Sequence, residues 1–129
     1  MSPSTPIRNL VEPLKPRTFR FGELPVHYAA GAFIVHDRIK HLDAELQMVI
    51  SGGFGHGSPN GWPGDDGTWE AWDDYVSDLV ARAAAKNYEV QWDIWNEPDL
   101  IDFWNPSGDK TARFFETWRR AVNIIRALD

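Results

Sequence analysis

Glu97 has the strongest case for chemistry in this chain. It sits at the end of Val90-Gln91-Trp92-Asp93-Ile94-Trp95-Asn96-Glu97-Pro98-Asp99, a β-branched and aromatic run that stops at an Asn-Glu-Pro corner. The run reads as a strand, and Pro98 has no N–H to give to a ladder, so pairing is expected to end there. Pro98 also biases Glu97 towards extended geometry. A carboxyl held on so constrained a segment loses little rotamer entropy when it is aimed at a reacting bond. The chemistry that suits it is general acid/base catalysis, proton transfer to and from a leaving oxygen.

The elements that must position Glu97 are legible on both sides. Leu46-Gln47-Met48-Val49-Ile50 reads as a strand, Ser51 to Gly67 as a long loop, and Trp69 to Lys86 as a helix with Thr68 as N-cap. Its apolar stripe is Trp69, Trp72, Val76, Leu79, Val80 and Ala83. Lys110 to Leu128 reads as a second amphipathic helix with Phe114, Trp118, Ala121, Val122, Ile125 and Leu128 on its inner face. Upstream, Thr18–Phe21 and Val26–Ala30 are candidate short strands, and Val35, Ile39 and Leu42 predict a helix from about Ile34 to Ala44. Residues 1–16, rich in Pro and Ser, read as a flexible lead, leaving 17–129 as the folded domain. Strands alternating with helices predict an α/β chain with parallel strands.

Asp-Ile-Trp-Asn-Glu-Pro-Asp-Leu, followed by Phe103-Trp104, resembles the fourth strand and following loop of clan-A glycoside hydrolases, most closely the family 39 β-xylosidases. The order of elements from Leu46 to Asp129 is similar to that family as well, the first forty-odd residues only loosely. The resemblance implies a partial (β/α)8 barrel, about strands 2–4 with their helices. It also implies Glu97 as the general acid/base and Asn96 as the ligand of the sugar 2-hydroxyl. A complete barrel takes about 250 residues, whereas this chain has 129. In that clan the nucleophile, about 5–5.5 Å from the acid, comes from the seventh strand. The resemblance therefore implies a truncated or split half-barrel without its nucleophile.

Other carboxylates have bland readings. Asp65, Asp66, Asp99 and Asp102 are turn or helix-start residues by type and place. Asp93 shares strand parity with Glu97, so it is expected on the same interior side, where it needs a hydrogen-bonded or charged partner.

Seven tryptophans are many for 129 residues. Trp62, Trp95 and Trp104 lie towards the side where a sugar would bind, and for Trp62 and Trp104, amid Gly, Pro, Asn and Asp, ring stacking on a carbohydrate competes evenly with packing. Trp69, Trp72, Trp92 and Trp118 are expected to supply core area. His56, within the glycine-rich loop, is a candidate contact to sugar hydroxyls, although a lone loop histidine is more often solvated. No metal set forms around it, and no cofactor is expected. The loop lacks the Gly-Lys-Ser/Thr ending of a phosphate cradle.

Composition excludes several classes. A net charge of −6 with no basic stripe argues against nucleic acid, and no apolar run or leader pattern predicts a membrane span or an export signal. With no cysteine there are neither disulfides nor thiolate metal sites, and the compartment is left open. Three readings stand: a glycoside hydrolase present as a half-barrel, a non-catalytic carbohydrate-binding remnant, and a half-barrel that pairs with a second copy or a complementary fragment. The last follows from physics, because half a barrel leaves edge strands and helix flanks uncovered and should self-associate.

Overall fold

The computed structural model describes residues 9–22, 32–51, 53–55 and 57–128. Three short strands, β1 (Thr18–Gly22), β2 (Glu45–Ile50) and β3 (Val90–Ile94), pair in parallel in the order β1-β2-β3. Phe19 lies opposite Leu46, and Leu46 opposite Val90. Helix α1 (Ala32–Ile39) lies between β1 and β2, α2 (Glu70–Ala85) between β2 and β3, and α3 (Lys110–Leu128) follows β3. The chain is thus α/β with a parallel sheet, as its alternating patterns predict. No described helix is long and apolar enough to cross a membrane.

Strict alternation gives the sheet two unlike faces. Phe19 and Phe21, Leu46, Met48 and Ile50, and Val90, Trp92 and Ile94 share one core cluster with Phe33 and Ile39 of α1, Trp72, Val76, Leu79, Val80 and Ala83 of α2, and Ala121 of α3. Each large side chain fully buried there contributes about 1.5–3 kcal/mol. The other face carries Arg20, Glu45, Gln47, Gln91 and Asp93, joined by hydrogen bonds from Gln91 to Glu45 and from Gln47 to Asp93. Crossovers of one hand between strands in sequential order put their helices on one side; on the other face Val49, opposite Gly22 and Asp93, is also buried.

Helices α2 and α3 are tied by more than apolar area. Trp72 Nε1 donates to Thr117 O at 3.1 Å, and Arg120 donates to Asp73 at 2.6 Å and to Glu116 at 2.8 Å while lying over the Trp69 ring. The face of α3 that meets α2 is not the expected one. Thr117 and Ala121 are its buried residues, whereas Trp118, expected in the core, is 47% exposed.

Two further expectations are corrected at element ends. Thr68 does not cap α2; its hydroxyl donates to Asp66, and Trp69 occupies the cap. Helix α1 stops at Ile39 and continues as a 3-10 turn to Leu42, ending where Asp43 takes a left-handed backbone. Within the lead, residues 9–11 are helical and Glu12–Leu14 form a 3-10 turn whose Glu12 pairs with His41 at 3.1 Å. The candidate strand Val26–Ala30 lies outside the described residues.

Candidate active site

Strand β3 ends at Ile94, well short of Pro98 where pairing is expected to stop, so Pro98 is not the cause. Trp95 adopts φ 76° and leaves the ladder. Its indole turns inward to meet Trp104 at 4.9 Å, Trp72 at 5.8 Å and Trp62 at 6.1 Å between ring centroids, and Nε1 donates to Phe103 O at 2.7 Å. Packing this ring on the apolar side requires the backbone to leave the extended region. Glu97 follows with φ 46°, so the extended geometry expected from Pro98 is not adopted. Two left-handed, non-glycine residues flank Asn96, each costing about 1–2 kcal/mol. Such strain persists only where surrounding contacts over-determine it, and it concentrates at functional sites.

The result is a carboxyl presented at the carboxyl end of β3. Glu97 is exposed, Asn96 half-buried, and Asn96 Nδ2 donates to Glu97 Oε2 at 3.3 Å. Residues 97–100 close a turn through Leu100 N–H to Glu97 O at 3.0 Å, with Pro98 at its second position, the place its fixed φ suits.

Asp93 lies on the polar face with the partners a carboxylate there requires. Arg20 Nε donates to its Oδ2 at 2.8 Å and Gln47 Nε2 to the same oxygen at 3.1 Å. Arg20 Nη2 also donates to Asn96 Oδ1 at 3.0 Å. A continuous chain of polar contacts therefore runs from Gln47 through Asp93, Arg20 and Asn96 to Glu97. No motif marks Arg20; its one signal in the sequence is a charged residue alternating with Phe19 and Phe21.

The loop from β2 to α2 comes to the same end of the sheet as a series of tight turns, with Gly55 N–H bonded to Gly61 O at 2.8 Å. Asp65 within it is more than a turn residue. Its Oδ1 accepts from Arg113 Nη1 at 2.8 Å and from the Ser107 hydroxyl at 3.1 Å, fastening this loop to the one after β3. Trp62 is half-buried against Trp95 and Trp104 and keeps part of its ring accessible. Trp104 does not: it is 5% exposed, holds Lys110 O through Nε1 at 2.9 Å, and packs edge-on against Trp62, Trp95 and Phe114. Most of its ring is packed into the core, and what remains borders a cleft lined by Pro98, Ile101 and Phe114. His56 lies outside the described residues.

Among the described residues, no group of three or more His, Cys, Asp or Glu side chains is gathered to hold a metal ion. Compared with known protein families, curated proteins and solved structures, the chain has no match.

Proposed function

We propose that this chain is the acid/base-bearing part of a glycoside hydrolase of the retaining kind, with a carbohydrate as substrate. The observation that carries the reading is the Asn96–Glu97 pair, exposed at the carboxyl end of a parallel strand and held by a strained, anchored backbone. Glu97 would protonate the departing glycosidic oxygen as its bond to the anomeric carbon breaks, and later take the proton back from water. Asn96 would bind the neighbouring sugar hydroxyl, with Trp62 against a sugar face.

The finer architecture we propose is a partial (β/α)8 barrel. Parallel strands in sequential order, with the helices packed on one face of the sheet, support it. The reading leaves the nucleophile to a strand beyond these three. Phe115 and Trp118, exposed on α3, fit a flank that further barrel units would cover.

The test is hydrolysis of an aryl β-xyloside together with sugar binding followed by tryptophan fluorescence. Any turnover should fall about 10²–10⁴-fold in Glu97→Gln, with binding retained, and binding should weaken in Asn96→Ala. Full activity in Glu97→Gln, or no sugar binding by the unaltered chain, would overturn the proposal.

A further inference from the structure

Arg20 stands at the junction between the polar sheet face and the Asn96–Glu97 corner, and its chemistry restricts what Asn96 can do. A guanidinium has donors and no acceptor. An asparagine amide has two flip states of nearly equal shape, one presenting oxygen and the other N–H groups to a given neighbour. With Oδ1 towards Arg20 the contact is a hydrogen bond of 3.0 Å; flipped, it would set donor against donor. The permitted state sends Nδ2 towards Glu97 Oε2.

We propose that Arg20 is a positioning residue that locks the Asn96 amide with its N–H groups facing Glu97 and any ligand there. Arg20 is itself aimed by Asp93, whose Oδ2 also accepts from Gln47. The left-handed residues on either side fix the backbone of Asn96, and Arg20 fixes its side chain. Asn96 then approaches a ligand hydroxyl as a hydrogen-bond donor. Only this last consequence rests on the glycosidase reading; the orientation does not.

Side-chain amide NMR on the full chain tests the idea. In the unaltered protein the Asn96 Nδ2 proton shifts should follow the ionisation of Glu97, and Glu97→Gln should abolish that dependence. Arg20→Gln, whose amide accepts as readily as it donates, should cut the amplitude by about half or more as both flip states fill. Arg20→Lys, donor-only like arginine, should preserve it.

An unchanged amplitude in a folded Arg20→Gln, or no dependence in the unaltered protein, overturns the proposal. Arg20→Gln leaves Asp93 without its cation, so if that variant fails to fold, Arg20→Gln/Asp93→Asn carries the same measurement with the same two outcomes. Xylose titrated into the same samples separates the two readings. Failure to bind while the amide still tracks Arg20 removes the glycosidase and leaves the positioning role.

Discussion

Asp65 and Arg113 meet at 2.8 Å, although one lies in the loop after β2 and the other in the first turns of α3. With Ser107 also donating to the same carboxylate oxygen, the two loops at the carboxyl end of the sheet form one surface. Asp65→Ala should therefore lower stability by about 1–2 kcal/mol, the range for a part-buried pair with an added hydroxyl bond. It should also speed hydrogen exchange at the Ser107 amide. A urea midpoint and exchange rate equal to those of the unaltered chain would show that the loops do not depend on this clamp.

The tryptophans separate by role. Trp104→Ala removes a buried ring and should cost about 3–5 kcal/mol in equilibrium unfolding. Trp62→Ala should cost clearly less, because its ring is only partly buried, and on the proposed glycosidase reading should weaken sugar binding instead. Equal stability losses in the two variants would contradict their different burial.

Gly64 has φ 78°, and a Cβ built there would stand 2.9 Å from Trp69 Cζ2. Gly64→Ala combines left-handed strain with displacement of a ring that also lies under Arg120. A loss of about 1–3 kcal/mol is expected in urea unfolding, whereas Gly57→Ala, equally left-handed but with open space around it, should lose less. The difference between the two variants measures the contact with Trp69.

Tyr88, at the opposite end of the sheet, makes a contribution to stability that is lost in alkali. Burial, then its hydrogen bond to Asp37, then the charge of that carboxylate, raise its pKa from 10.0 to about 12. The folded state thus holds its proton where the unfolded state has lost it. The contribution is whole below pH about 10 and disappears as pH rises towards about 12. On the acid side, the same hydrogen bond lowers the Asp37 pKa, so that its stabilisation holds above the ordinary carboxylate value and is lost as pH falls through the folded one. Unfolding free energy measured against pH should flatten at both ends in Tyr88→Phe.

Much of this fold is written locally. Alternation in Thr-Phe-Arg-Phe, Leu-Gln-Met-Val-Ile and Val-Gln-Trp-Asp-Ile fixes which side chains of each strand share a face. The stripe from Trp69 to Ala83 places α2, and Asn-Glu-Pro marks the corner. Such features are legible because period and backbone restriction act over a few residues.

Only the tertiary structure decided what meets at the corner. Arg20 reaches Asn96 across 76 positions of sequence, a contact created by strand order and register that no local period encodes. The burial of Trp104 and the left-handed turn at Trp95 arise likewise from rings competing for one interior, where close packing overrides the extended bias that Pro98 lends the chain. By itself the sequence determined the alternating faces and the carboxylate to examine; the assembled sheet decided that carboxylate's neighbours, because partner choice depends on closure between distant segments.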